Sequence, residues 1–226
     1  MRESKVIQAL AGVVTLGSVV AMTITLRGGF PPRLERGPHE AAGWAMAKQA
    51  LSLLKPGGQI VLITRDTAEF KDPAADIQLA SFKKELRKAR ANVGAVQSLQ
   101  VDPLRPMEVP PGDFLEWIRK WPGGSVIVSF MGPPVLNAAQ RKQLGEIKPA
   151  IVAFCPGGWP DRINLRSLFD QGLVQAAIVS QRNLPSSGAK PRSTQAWFDQ
   201  HFTMVTAANV GDVLAASQRQ SSAESR

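Results

Sequence analysis

The sequence predicts an α/β fold: a doubly wound, Rossmann-like parallel sheet of about five to six strands, with an N-terminal transmembrane helix before it. Short unbroken apolar runs recur along the chain, which is typical of strands buried on both faces of a parallel sheet. Capped or amphipathic segments lie between those runs, so strands and helices alternate. A longer uncharged run, residues 6–26, stands near the N-terminus.

Residues 1–29 are predicted to be a membrane anchor or a signal segment. Arg2 and Lys5 precede the uncharged run and Arg27 follows it. A helix over residues 6–26, rising about 1.5 Å per residue, spans roughly 30 Å and so crosses one bilayer core. An imperfect cleavage site at residues 19–21 keeps a cleaved signal as the alternative. We expect contact with membrane lipid through residues 6–26 and a domain on the extracytoplasmic side.

Residues 30–40 (FPPRLERGPHE) are Pro-rich and charged, and we predict a linker there. A single α/β domain is expected over residues 41–215, followed by a polar, disordered tail over residues 216–226. Its predicted strands are Gln59–Thr64, Val93–Val101, Ser125–Phe130, Ala150–Cys155, Ala176–Ser180 and a short last one, Phe202–Thr206. The second of these carries Gly94, Gln97 and Gln100, which indicate a more exposed position.

Helices are predicted between the strands from their start signals and apolar spacing. The first covers residues 41–54 and ends before the Lys55–Gly58 turn. Asp72 before Pro73 predicts an N-cap. Asp113 with Glu116, and Asn137 with Gln140, are typical of capping boxes, the latter before a helix that holds Leu144 and Ile147. Two more helices are expected, around residues 165–169 and 195–201.

Composition and charge narrow the function classes. The 226 residues are 44% hydrophobic with 19 Gly and 17 Pro, which excludes a disordered or collagen-like chain. The net charge is +9, and much of it lies on one predicted helix, at Lys83, Lys84, Arg87, Lys88 and Arg90. A solvated helix face explains this charge; attraction to anionic lipid or cell-wall polymer is the alternative. No nucleic-acid-binding signature accompanies the charge, so no nucleic acid is expected.

Cysteine and histidine are scarce. Cys155 is the single cysteine, which excludes an internal disulfide and a lipid-attachment site after the apolar run. The two histidines fall in the predicted linker (His39) and near the last helix (His201), so Cys155 lacks an evident base and is expected to be a buried thiol. No metal and no cofactor are expected, because these residues do not form a ligand cluster.

The candidate ligand site follows from the sheet, because ligands of open parallel sheets bind outside the carboxyl ends of the strands. The candidates after the strands are Arg65, Asp66, Thr67, Asp102, Met131, Gly132, Gly157, Gly158, Trp159 and Arg182. Arg65 and Asp66 are the most informative, since charges just beyond a buried strand must reach water, a ligand or a partner. The alternative is that Asp66 caps the next turn and Arg65 pairs with Asp66 or Asp102.

Other chemistry is less specific at these positions. Trp159 either stacks on a sugar ring or covers the sheet edge. The glycines lack the spacing of a phosphate loop, so turn formation explains them. Asp66 and Asp102 could form a carboxylate pair, but their spacing is not specific. No catalytic residue is therefore assigned.

The chain resembles one lobe of the type I periplasmic binding proteins, the fold of sugar-transport solute receptors. The resemblance rests on the N-terminal export segment, the strand and helix succession over residues 59–180, and the ending FTMVTAANVGDV at Phe202–Val213. That ending is similar to the strand and T-x-E-N-V pattern of such receptors, with Ala208 where an acid often stands. These receptors close two lobes on a sugar. The chain supplies one, which implies that a ligand binds on an open face, at a dimer interface or not at all. Arg65, Asp66 and Arg182 lie where polar contacts are expected.

The first functional hypothesis is a membrane-tethered, extracytoplasmic domain that binds a small polar or anionic solute, or a partner, at the strand ends without catalysis. One alternative is a membrane-anchored hydrolase or transferase that uses Asp66, assisted by Asp102 or Cys155. The other is an interaction scaffold in an envelope complex. A homo-oligomer or an envelope protein is the partner expected on these readings. Enzymatic activity is left open, with the non-catalytic hypothesis favoured.

Overall fold

A computed structural model describes residues 34–68, 71–100, 108–157, 163–181 and 190–216. Strands and helices alternate along the chain as predicted. Their bounds are α1 Arg36–Leu53, β1 Ile60–Arg65, α2 Pro73–Lys88, β2 Val93–Leu99, α3 Pro111–Lys120, β3 Val126–Ser129, α4 Ala138–Lys142, β4 Ala150–Cys155, α5 Leu165–Asp170, β5 Ala176–Ser180, α6 Thr194–His201 and β6 Phe202–Val205. Residues 210–216 are again helical.

The strands form one six-stranded sheet in the order β2-β1-β3-β4-β5-β6. Strands β1 to β5 are parallel. From β1 the chain moves outward to β2 and then returns to β3 on the other side of β1, so the direction of winding reverses between β1 and β3. This confirms the doubly wound α/β fold and places its switch point at the carboxyl ends of β1 and β3.

Strand β6 differs from the prediction of an all-parallel sheet, because it runs antiparallel to β5. Helix α6 ends at His201 and β6 begins at the next residue, without a loop. The backbone N–H of Gln181, just after β5, donates to the carbonyl of His201. The chain therefore enters β6 at the carboxyl edge of β5 and has to run back along it.

Helices cover both faces of the sheet. We call α1, α2 and α6 the α1 layer, and α3, α4, α5 and residues 210–216 the α3 layer. Successive side chains of a strand point to opposite faces, so Ile60 and Leu62 pack under the α1 layer while Val61 and Ile63 pack under the α3 layer. Both clusters are fully apolar at their centres and stabilise the sheet from two sides.

The edge strand β2 has alternating half-buried and exposed residues, as predicted from its polar composition. It has a partner strand on one side, β1. Val96 is 49% exposed, whereas every residue of the central strand β3 is buried. The contrast follows from position, because an edge strand has one flank open to water.

Two of the three predicted caps are confirmed. The Asp72 side chain accepts from the backbone N–H groups of Ala74 and Ala75, and Asn137 forms a reciprocal capping box with Gln140. The Asp113 cap is wrong, because α3 already begins at Pro111 after Pro110. The expected helix through Leu144 and Ile147 is also wrong: α4 ends at Lys142, and Ile147 is 85% exposed.

Helix α1 begins at Arg36, so residues 36–40 of the expected linker form its first turns. Its buried residues are mainly alanines, and at Gly43 an added Cβ would meet the carbonyl oxygen of Gln78. Small side chains thus bring α1 close to α2. The uncharged run 6–26 and the tail 217–226 lie outside the described residues. In the part of the chain that is described, no helix has the length and apolar character needed to cross a bilayer.

Candidate functional site

A cavity of about 360 Å³ opens at the carboxyl edge of the sheet, on the side of the α1 layer. Its volume is within the ordinary range of small-molecule sites. Strand ends, the first turns of α1 and α2, and the end of α6 form its walls. The lining residues are Pro38, His39, Thr64, Arg65, Asp72, Ala74, Ala75, Gln78, Leu79, Phe130, Phe154, Pro156, Ser180, Gln181, His201 and Phe202.

The cavity includes the switch point of the sheet. Thr64 and Arg65 end β1, and Phe130 directly follows β3. Phe130 packs on Phe154 and Phe154 on Phe202, with ring centroids 6.2 and 5.7 Å apart. These rings give the cavity an apolar wall beneath its charged and polar groups, the combination typical of a small-molecule site.

The guanidinium of Arg65 lacks close hydrogen-bond partners in the described part of the cavity. Its Nη1 lies 3.8 Å from Oδ2 of Asp72, which is too long for a hydrogen bond. Its Nε is buried and finds no hydrogen-bond partner among the described residues. An unpaired buried donor is costly, so this guanidinium favours a ligand or water that brings an acceptor.

The carboxylate of Asp72 caps the start of α2 and also faces Arg65. Its Oδ1 accepts from the N–H groups of Ala74 and Ala75, at 3.1 Å each, and its Oδ2 faces Arg65. The cap fixes the first turn of α2 against the cavity. The local sequence Asp-Pro-Ala-Ala thus places a carboxylate and two small side chains on this wall.

The two histidines meet at this cavity although they are far apart in sequence. His39 lies in the first turn of α1, and His201 is the last residue of α6. Nε2 of Gln78 lies 3.4 Å from Nδ1 of His39. Because an amide N–H₂ group only donates, Nδ1 accepts, and the neutral His39 ring carries its proton on Nε2.

The pKa of both imidazoles is lowered from the ordinary value of 6.5. Burial is the larger cause in each case, since it disfavours the charged ring. The nearby carboxylate of Asp72 raises the pKa of His39, whereas His201 lowers it. Glu35 raises the pKa of His201. We therefore expect both rings to be neutral at pH 7 in the empty cavity.

The residues predicted from the strand ends lie in different surroundings. Arg65 lines the cavity, and Gly157 lies beside it, its N–H donating to Oγ of the lining residue Ser180 at 3.3 Å. Met131 is 1% exposed and packs under the α3 layer, and Gly132, at φ 88°, forms the turn that follows it. Asp102, Gly158, Trp159 and Arg182 lie outside the described residues.

Asp66 and Thr67 make local contacts instead of lining the cavity. Oδ1 of Asp66 accepts from the N–H of Ala68 at 2.9 Å, which is the turn-capping alternative considered above. The hydroxyl of Thr67 donates to Oδ1 of Asp76 at 3.3 Å. These contacts hold the chain between β1 and α2.

Cys155 is a buried free cysteine at the end of β4. The thiol is fully buried, and burial raises its pKa to about 12, so it is protonated at neutral pH. Across the described ranges, no three His, Cys, Asp or Glu side chains are grouped closely enough to hold a metal ion.

Sequence analysis missed several polar groups of the cavity: His39, Asp72 as a wall residue, Gln78 and His201. They lie within helices or directly at a helix end, whereas the candidates were taken from residues that follow strands. One signal was available, because both histidines lie beside predicted helix ends. That these ends share one edge follows from the antiparallel β6, which the sequence did not predict.

No protein-family model matches the sequence, and no curated protein matches it. The fold does match solved structures. A protein described as a LacI transcriptional regulator from Bacteroides fragilis has a TM-score of 0.51 and 11% identity, over 77% of this chain and 61% of that one. AraP, an arabinose-binding protein from Geobacillus stearothermophilus, has a TM-score of 0.48 and 17% identity, over 77% of this chain and 62% of that one. An ABC transporter solute-binding protein from Burkholderia graminis C4D1M, in complex with D-arabinose, has a TM-score of 0.47 and 18% identity, over 76% of this chain and 60% of that one.

The chain spans about three fifths of the length of these structures. At such low identity the likeness concerns the fold alone. The resemblance to one lobe of the type I periplasmic binding-protein fold is confirmed at that level.

Proposed function

We propose that the chain is a membrane-tethered, extracytoplasmic domain that binds a small polar or anionic solute in the cavity at the carboxyl edge, without chemistry of its own. The observation that carries the proposal is Arg65. Its guanidinium lines a cavity of ligand size at the switch point of the sheet, with a buried Nε that has no described partner.

The surrounding side chains support a polar solute. Thr64, Gln78, Ser180 and Gln181 bring hydroxyl and amide groups to the walls, beside the charged Arg65. Such groups fix the orientation of a small molecule, while the phenylalanine rings exclude water from its apolar part.

The two alternatives receive less support. The carboxylate of Asp66, the residue that a hydrolase would use, is occupied by the N–H of Ala68 and does not line the cavity. A scaffold would present a contiguous apolar patch. Among the described residues, the exposed large hydrophobic side chains are Leu34, Val96, Val135 and Ile147, which lie in four separate parts of the sequence.

A thermal-shift screen tests solute binding. The full chain, in an uncharged polyoxyethylene detergent, is screened against sugars, nucleotides, phosphate esters, carboxylates and cell-wall fragments. A bound solute raises the melting temperature by mass action, and Arg65→Gln should remove that rise. Thr67→Ala, an alteration beside the cavity but outside its wall, is the matched control and should leave the rise unchanged. A screen without any stabilising compound would contradict the proposal.

Membrane tethering has its own test. The proposal rests on the uncharged run 6–26, so Leu16→Arg, which places a charge within the bilayer core, should move the chain to the soluble fraction. Leu16→Ile is the control and should stay with the membrane. If Leu16→Arg also stays in the membrane fraction, the anchor is elsewhere or absent.

A further inference from the structure

The electrostatics of the cavity indicate which polar solute it takes. Arg65 brings a permanent positive charge. The first turns of α1 and α2 border the same space through Pro38, His39, Ala74 and Ala75, so the positive N-terminal ends of two helix dipoles lie beside it. All three contributions favour a negative charge in the cavity.

The carboxylates nearby leave this potential only partly balanced. Asp72 holds two backbone N–H groups of α2 and stays 3.8 Å from Arg65. Glu35 pairs with Lys190 at 3.5 Å, so its charge is already compensated. Neither arrangement supplies the close, hydrogen-bonded carboxylate that a largely buried guanidinium prefers.

The imidazoles of His39 and His201 can change their protonation state when a charged ligand binds beside them. The groups that face it are Arg65 on β1, Asp72 at the start of α2 and Glu35 at the start of α1. Burial lowers the pKa of both imidazoles and so favours their neutral form. A carboxylate placed among them would favour the charged ring and thereby offset the cost of burial.

We infer that the solute is a small organic carboxylate, and that it binds together with a proton taken from solvent by the His39–His201 pair. This inference rests on the proposed function and deepens it. A neutral sugar would use the hydroxyl and amide groups of the walls and leave the imidazoles unchanged. A carboxylate instead couples binding to protonation, so its affinity rises as the pH falls toward the pKa of the pair.

The test uses the two histidines as reporters. They are the full set in the sequence, so an untagged chain gives two imidazole signals by NMR, assigned with His39→Gln and His201→Gln. The full chain is titrated with acid in acetate, in acetamide and in sodium chloride at equal ionic strength. Acetate is a small probe of a carboxylate site, and acetamide is its neutral counterpart of nearly the same shape.

We expect acetate to raise the pKa of at least one imidazole by about one unit, as an opposite charge at close range does, and acetamide to leave both unchanged. Arg65→Gln should abolish the acetate effect. Asp72→Asn should strengthen it, because asparagine keeps the helix cap and removes the competing charge.

Three results separate the inference from the proposed function. Equal responses to acetate and acetamide, or no response to either, overturn the carboxylate assignment. An equal response to chloride overturns it as well, because any small anion then suffices. If neutral sugars stabilise the chain in the thermal-shift screen while acetate leaves the imidazoles unchanged, solute binding stands and the carboxylate inference fails. If no compound stabilises the chain, both fail.

Discussion

The two helix layers end very differently at the carboxyl edge of the same sheet. Under the α3 layer, large side chains fill the space up to the strand ends; they include Val109, Met131, Leu136 and Leu165, each less than 9% exposed. Under the α1 layer the corresponding space is the cavity with Arg65 and the histidine pair. The side of the sheet under the α3 layer, which we call the closed side, is therefore filled by core residues that supply stability. The side under the α1 layer, which we call the open side, carries the candidate site.

Side-chain size accounts for much of this difference. The wall of the open side is built in part from Pro38, Ala74 and Ala75, which are too short to fill it. On the closed side, Met131 and Leu136 after β3 and Leu165 after β4 are buried in the core. Substitutions on the two sides should therefore differ in what they change.

The largest effect is expected on the closed side. Phe114 on α3 is fully buried in the core, so Phe114→Ala should lower the free energy of unfolding by about 3–5 kcal/mol. Urea denaturation measures this loss. At temperatures where the variant stays folded, its affinity for a solute found in the screen should be unchanged. A loss of affinity larger than the unfolded fraction explains would contradict the division into two sides.

A smaller loss of stability, now with a loss of binding, is expected at Gly43 on the open side. A Cβ there meets the backbone of Gln78, so Gly43→Ala should separate α1 from α2 at a cost of about 1–3 kcal/mol. Because His39 and Gln78 lie on these helices, solute affinity should fall too. Gly112→Ala on α3 is the control: nothing lies within 4 Å of the added Cβ, and stability should change little. Unchanged binding in a folded Gly43→Ala variant would argue against the cavity.

The cap of α2 gives a still smaller effect. Asp72→Ala removes the acceptor for two backbone N–H groups and should cost about 1 kcal/mol, whereas Asp72→Asn, which keeps a capping side chain, should cost much less. Thermal and urea unfolding of both variants checks the difference. Equal losses would mean that the charge beside Arg65, and not the cap, stabilises this wall.

The smallest effect concerns pH. Because the pKa values of His39 and His201 lie below 6.5 in the fold, the unfolded chain binds more protons once the pH falls through 6.5. The contribution of the pair to stability should thus be constant well above that pH and decline as the pH falls through 6.5 toward the lowered pKa values. The variant His39→Gln/His201→Gln should show a flatter profile in this window, in which carboxylates remain charged. An identical slope in both proteins would contradict the burial of the pair.

The strands were the most predictable part of the fold. Runs such as AIVAFC are apolar without interruption because both faces of a central parallel strand are covered, and β4 has the predicted bounds. Gly94, Gln97 and Gln100 likewise predicted a more exposed position for β2, which lies at the edge of the sheet. Helix starts were less reliable where proline intervened: Pro110–Pro111 starts α3 before Asp113, and the Pro-rich residues before Ala41 conceal the start of α1.

The site was less predictable because it depends on contacts between distant segments. Arg65 could be selected, since a charge after a buried strand needs a partner. The approach of residue 39 to residue 201 depends on the turn from α6 into an antiparallel β6, and no local pattern encodes it. Whether Asp66 faces a ligand or its own turn is decided by a 2.9 Å contact with Ala68 that sequence spacing allows but does not require.

The most direct test of the open side compares two tryptophans on α2. Ala75 lines the cavity, and Ala80, on the same helix, is exposed. The thermal-shift screen is run on the unaltered chain, Ala75→Trp and Ala80→Trp. We predict at least one compound that stabilises the unaltered chain and Ala80→Trp but not Ala75→Trp, in which the indole fills the cavity. Equal stabilisation of all three proteins by every active compound would contradict a solute site under the α1 layer.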